Sequence, residues 1–405
     1  MVPIFVIITL MPIKCLKPFV RMEFNKDGEV YFCCPMFSVQ GPVGNILTDS
    51  IDTIWNGQKI REIRKKFYEG KIEGYCNAKY CPIVSSPDIV NLDEEVRKWP
   101  YLKDVMKPIK KQSDRLWTMP KIIEIADNGQ CNLRCKMCIS NESYIPTNPR
   151  LTKRIFDYAL PALLPTSAYL NLAGNGDPIF RKESREFLQK FNPKKYPHLK
   201  VNLLTNGLLM NPGIWKSMQH VRFANIAVSV DAASELTYKN VRGGNWQILQ
   251  RNLQFLSDLR KANKFESFHI NFIVMRSNYK EMVDFARMGI KLGCDCVYFS
   301  KIFGVTPDCV DENIFLFNDR KIIKEIKHIL KDPIFDNPRV DVNNLLHFDE
   351  SIASSVHSDS YYHVKQSAYK LVFGVYYAIP LSTRRTILPL LRKLIPSQIR
   401  NVLMT

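Results

Sequence analysis

Eleven cysteines stand in this chain of 405 residues, and eight of them fall into two groups. The tighter group is Cys131, Cys135 and Cys138, in the run Cys-Asn-Leu-Arg-Cys-Lys-Met-Cys that directly follows the apolar segment Lys121 to Ala126. Three thiolates at this spacing can wrap one loop around an iron–sulfur cluster, whose irons take cysteine sulfur. A four-iron cluster held by three thiolates keeps one iron open, by the logic that leaves a catalytic metal site its unfilled position. The competing chemistry is a structural zinc site. It wants four nearby ligands, and neither a His nor a fourth Cys lies close in sequence. The looser group is Cys15, Cys33, Cys34, Cys76 and Cys81, more than enough thiols to close either a second iron–sulfur cluster or a zinc knuckle. In so long a chain the cysteines are too dilute for a secreted disulfide framework and point to metal binding in a reducing compartment.

These thiols need elements to hold them. From 121 to about 310 apolar strands alternate with amphipathic helices, the rhythm of βαβ units and a parallel sheet. Strands are expected at 121–126, 168–173, 200–204, 225–230, 268–274 and 296–300. Helices are expected at 152–164, 181–190, 211–218, 234–240 with 246–260, and 279–292. The tight cysteine group follows the first of these strands. Ahead of it, Phe19 to Phe24, the turn Lys26-Asp27-Gly28 and Glu29 to Cys33 read as a hairpin, followed by a helix over Ile51 to Tyr68. The division expected is a cysteine-bearing unit at 1–81, a linker rich in Pro, Ser and Lys at 82–120, an α/β core at 121–310, a helical extension at 311–359 with a helix near 317–331, and a basic tail at 360–405.

The central motif with its strand context resembles the radical S-adenosylmethionine (radical SAM) superfamily. The resemblance implies an α/β fold, a partial (β/α)6 TIM-like barrel. It also implies a [4Fe-4S] cluster on Cys131, Cys135 and Cys138 whose open iron is chelated by SAM, and reductive cleavage of SAM to methionine and a 5′-deoxyadenosyl radical. An electron donor such as flavodoxin or ferredoxin is the implied partner. Gly174-Asn175-Gly176-Asp177 matches the glycine-rich motif that holds the SAM amino group, and Thr205-Asn206-Gly207 is a common sequence at the next strand end. Ser229 and Arg242 match SAM-pocket positions of the family. Met137 departs from the aromatic residue often found before the third cysteine. The unit 1–81 is similar to the SPASM-type auxiliary cluster domain, through Cys15-Leu-Lys-Pro-Phe, Asp27-Gly28-Glu-Val-Tyr-Phe-Cys33-Cys34, Gly44-Asn45, Ile54-Trp55-Asn56, Cys76 and Cys81. This implies a second [4Fe-4S] cluster on Cys15, Cys33, Cys76 and Cys81, with Cys34 as substitute for Cys33. The domain usually follows the barrel and here precedes it, Phe32 stands where proline is usual, and four residues rather than two separate the last cysteines.

The composition, 46% apolar and 24% charged, excludes a collagen-like or fully disordered chain. Lys and Arg total 57 against 39 Asp and Glu, a formal net charge of +18 that calls for an acidic partner. After Asp359 no acidic residue occurs, and Ile387, Leu388, Leu391, Leu394 and Ile395 mark a basic amphipathic helix over 386–395, broken at Pro389 and Pro396. That tail is read either as docking on an anionic membrane surface or as a terminal helix packed on the core; no nucleic-acid module is recognisable. Met1 to Met11 is apolar but about half the ~20 residues of a membrane span, and no signal-peptide features accompany it. A cytoplasmic protein, peripheral at most at the inner membrane face, is expected. The function expected is radical SAM chemistry on a peptide or protein. The alternatives are a sugar or other small molecule as substrate, or a non-catalytic iron–sulfur electron carrier or redox sensor. Cys294, Cys296 and Cys309 carry no assigned role.

Overall fold

The computed structural model describes residues 13–35, 38–77, 81, 83, 90–127, 129–138, 148–173, 175–302, 309–316 and 318–346. Met1 to Met11, Gly174 and the tail 360–405 lie outside the described residues. The chain divides into two compact units.

The first unit holds residues up to 128, with 147–171 and 193–200. Its strands are β1 (Arg21–Asn25), β2 (Glu29–Tyr31), β3 (Gly44–Asn45), β4 (Ile122–Ala126) and β5 (Tyr169–Leu172). They lie in the order β5-β4-β1-β2-β3. β1 and β2 form the expected antiparallel hairpin, Glu23 opposite Tyr31. Its turn works because Asp27 (φ 61°) and Gly28 (φ 79°) both take left-handed backbone. The other edge of β1 pairs in parallel with β4, Arg21 to Asn25 against Ile122 to Ala126. The hairpin's first strand is therefore continuous with the first strand of the α/β core. Helices Ile51–Asn56 and Gln58–Tyr68 bury Ile54, Trp55, Ile60, Ile63 and Phe67. Phe32, at the position where proline was expected, packs edge-on to Phe67 with ring centroids 5.9 Å apart. Residues 92–98 and 103–110 are helical, in the stretch read as a linker, and Val105, Met106 and Ile109 of the second helix are buried.

The second unit holds 129–146, 172–192 and the residues from 201 onward. Its strands run β10-β9-β8-β7-β6, with β6 (Lys200–Thr205), β7 (Phe223–Ser229), β8 (Phe268–Val274), β9 (Cys296–Lys301) and β10 (Val340–Asp341). All four neighbouring pairs are parallel, so the strands end on one edge. Helices Pro212–Met218, Glu235–Arg242, Trp246–Lys261 and Met282–Leu292 connect them. Every expected core strand is present within two residues of its expected bounds. The helix Arg320–Ile329 falls inside the expected 317–331. Cys294, fully buried just before β9, packs as a small hydrophobe, and burial pushes its thiol up to about 12.

Candidate iron–sulfur centres

The loop carrying Cys131, Cys135 and Cys138 belongs to the second unit and lies against the C-terminal ends of its parallel strands. Leu133, Cys135 and Met137 pack with Val241, Met275, Ile302 and Cys309, and Cys131 and Cys138 lie against this cluster. Met275 and Ile302 follow the last residues of β8 and β9. Two backbone bonds shape the loop: Lys136 N–H donates to the Val241 carbonyl (2.9 Å) and Cys138 N–H to that of Cys135 (3.0 Å). Cys135 is buried, and Cys131 and Cys138 are half-buried.

Donors from the end of β6, from the loop itself and from the end of the helix Glu235–Arg242 reach these sulfurs. Asn206, after β6, places Nδ2 3.6 Å from Cys131 Sγ and 2.8 Å from Asn132 Oδ1. Leu133 N–H lies 3.4 Å from the same sulfur. Arg242, the last residue of its helix, points a terminal guanidinium nitrogen at Cys135 Sγ, 3.7 Å away. Burial pushes the Cys135 thiol up to about 11, with the Arg242 cation opposing it, and burial also raises Cys131. Buried thiols flanked by N–H donors and a cation are suited to becoming ligating thiolates once metal compensates their charge.

The other expected pocket residues are placed as follows. Asp177 is buried, and its N–H donates to the Gln130 carbonyl (2.8 Å), tying it to the cysteine loop. Its carboxylate accepts from Ile179 and Phe180 N–H on one oxygen, and from Thr205 Oγ1 and Asn206 N–H on the other, at 2.8–3.0 Å. The carboxylate thus holds the end of β6, and with it Asn206, rather than projecting into open space. Asn175 and Gly176 are half-buried in the turn before it, with Gly176 at φ 76°. Ser229 is the last residue of β7 and is half-buried. Asp231, two residues on, is fully buried and accepts from Arg242 Nε at 2.7 Å and from a terminal nitrogen of the same guanidinium. Asp231 is a site residue that the sequence analysis does not name, although it stands only two residues after Ser229. Asn206 is named there without a ligand role.

In the first unit Cys15, Cys33, Cys76 and Cys81 come close enough that their charges act on one another. Burial pushes Cys15 up to about 11 and Cys76 up to about 12. Lys17 Nζ sits 3.5 Å from Cys33 Sγ. Burial works against its cation, but Cys33 and Cys15 more than offset that and raise its pKa. Four gathered thiols with one ammonium among them are a donor set that fits a thiolate-ligated cluster. Cys34 is half-buried and its charge acts on Arg21. Among the described residues no three His, Cys, Asp or Glu side chains form a cage for one metal ion.

Two family comparisons bear on these centres. An iron–sulfur cluster-binding domain, SPASM, matches residues 15–82, and the radical SAM superfamily matches residues 128–289. The chain carries a radical SAM region. It carries a SPASM-type domain ahead of the radical SAM region, and the α/β fold is that of the radical SAM partial barrel. The cofactors of the two regions are a [4Fe-4S] cluster with SAM and auxiliary iron–sulfur clusters. Among radical SAM relatives, the chain is 24% identical over 177 residues to a probable GTP 3′,8-cyclase of Methanococcus aeolicus, covering 42% of this chain and 58% of that one. It is 26% identical over 189 residues to the mycofactocin maturase MftC of Mycobacterium ulcerans, covering 43% and 49%. The chain spans about half the length of these curated relatives. The crystal structure of Streptococcus suis SuiB bound to the precursor peptide SuiA matches with 15% identity and a TM-score of 0.43, over 78% of this chain and 69% of that one. Among the described residues no helix is long and apolar enough to cross a membrane.

Proposed function

We propose that this protein is a radical SAM enzyme acting on a peptide or protein. The observation that carries the reading is the placement of Cys131, Cys135 and Cys138 in one loop against the strand ends, with Asn206 and Arg242 donating to two of their sulfurs. When bound, SAM at a cluster held by these cysteines supplies reductive cleavage and hydrogen abstraction from an unactivated C–H bond. The chain's own residues do the rest. The apolar packing of Leu133, Met137, Met275 and Ile302 excludes water from one side of the loop. Asp177 fixes the β6 end, and Asn175, Gly176 and Ser229 line the approach expected for SAM. Cys15, Cys33, Cys76 and Cys81 would hold an auxiliary cluster, with Lys17 moderating their charge.

The charge of +18 and the presence of a maturase among the relatives support an acidic peptide as substrate. A relative whose name denotes a GTP cyclase keeps a small molecule as the second reading. A cytoplasmic setting and a flavodoxin- or ferredoxin-type donor complete the proposal.

The test is to mix reduced, reconstituted protein with SAM and measure 5′-deoxyadenosine. Its formation is expected. The Cys131→Ala/Cys135→Ala/Cys138→Ala variant should lose it while keeping roughly one cluster's worth of iron and sulfide in the SPASM region. An intact central cluster that yields no 5′-deoxyadenosine would leave an electron carrier or sensor as the function. Faster 5′-deoxyadenosine formation with acidic peptides than with nucleotides or sugars would support the peptide reading, and the reverse order would sink it.

A further inference from the structure

We propose that Arg242 and Asn206 set the reduction potential of the cluster at Cys131, Cys135 and Cys138, and that Asp231 and Asn278 are the positioning residues that aim Arg242. This rests on the cluster reading above and assigns Arg242 a task beyond the SAM pocket.

The geometry is unusually committed. Arg242 ends its helix, where a long cation can ordinarily reach water, yet it is buried. Asp231 turns it inward by accepting from Nε at 2.7 Å and from a terminal nitrogen, which leaves the other terminal nitrogen directed at Cys135 Sγ. Asp231 reaches this position only through left-handed backbone, φ 60°, a conformation that costs a non-glycine residue and persists where its surroundings over-determine it. Those surroundings are present. Asn278, itself buried, donates through Nδ2 to the carbonyls of Asp231 (3.0 Å) and Ile273 (2.9 Å), and its Oδ1 accepts from Met275 N–H (2.7 Å). Ile273 N–H donates to Asp231 Oδ1 at 2.7 Å.

A buried ion pair of this kind is a weak source of stability, since apolar residues of similar volume do as well. Its evident product is a cation held at one sulfur. Asn206 does the equivalent at Cys131 without charge, and Asp177 holds it by accepting its backbone N–H. Hydrogen bonds to ligating sulfur, and a cation beside it, stabilise the electron-richer reduced cluster and raise its potential.

The experiment is an EPR-monitored potentiometric titration of reconstituted protein, following the signal whose g values respond to added SAM but titrating without SAM. Arg242→Gln is expected to lower the reduced-to-oxidised ratio about tenfold at a fixed applied potential, a midpoint about 59 mV more negative for one electron. Arg242→Lys should recover most of that shift. Asn206→Ala should move it the same way by a smaller factor. A normal signal with an unchanged midpoint in both Arg242→Gln and Asn206→Ala overturns the proposal. Should the variants fail to load a cluster, the unsubstituted protein decides. Exchange into D2O is expected to reveal exchangeable deuterons coupled to the reduced cluster by pulsed ENDOR, and their absence overturns the proposal equally. A missing SAM-responsive signal in the unsubstituted protein would instead bring down the cluster reading itself.

Discussion

Asp177 accepts four hydrogen bonds from within its own unit, so its removal strands four donors at once. Asp177→Ala is expected to cost about 3 kcal/mol or more, read by urea denaturation, and to lower iron content at the tight cysteine group because Asn206 loses its anchor. Glu23 gives a different signature. It is buried on β1 and shares the Arg21 guanidinium with Glu124, at 2.7 and 2.6 Å. Burial, with Glu124 adding to it, pushes its carboxyl up from 4.5 to about 7. Folding therefore favours the protonated form, and this contribution is full below about 4.5 and falls as pH rises to about 7. Glu23→Gln should remove the slope, so its stability relative to the parent should be greater at pH 8 than at pH 5, as unfolding midpoints at the two values would show. Much at this scale was readable in advance. Cysteine spacing is local and survives in a sequence, and the glycine-rich stretch drew attention to Asp177. Two of its partners were hidden because Thr205 and Asn206 are 28 and 29 residues away. Nothing in a string of letters marks Asp231 as left-handed.

At the level of elements, close approach decides where variation is tolerated. The helix Met282–Leu292 lies on β8 and β9 with Gly289 facing them. A Cβ built there would sit 2.3 Å from Val297 Cγ2 and 2.9 Å from Ile270 Cδ1. Gly289→Ala gains about 1 kcal/mol of helix propensity, but the overlap must be relieved by moving packed side chains. A net loss of about 1–3 kcal/mol is expected, measurable by chemical denaturation. The strands themselves were legible because alternating apolar runs such as Phe268–Val274, buried at every second residue, admit only one reading. The helices at 92–98 and 103–110 were not. The first buries no residue, and the second carries Pro108 inside it, which in sequence looks like a break.

For the molecule as a whole, the feature without precedent in the sequence reading is the parallel pairing of β1 with β4. It makes the cysteine-bearing N-terminal region structurally necessary to the first unit. Removing residues 1–81 should expose one edge of β4 and leave Ile123 and Ile125 without part of their cover, so the shortened chain is expected to be insoluble or to lack a cooperative unfolding transition. A soluble, cooperatively folding product would show the two regions to be independent. The charge of +18 and the acid-free tail were plain from composition, but they say nothing about this seam.

The same seam imposes an order on synthesis. Glu23 pairs at Glu124, about a hundred residues later, whereas its hairpin partner Tyr31 follows almost at once. On the ribosome the hairpin can close early, but its second edge has no strand to meet until β4 emerges. The nascent chain therefore carries an open strand edge through that interval. Completion of this edge of the first unit waits on the emergence of residue 126.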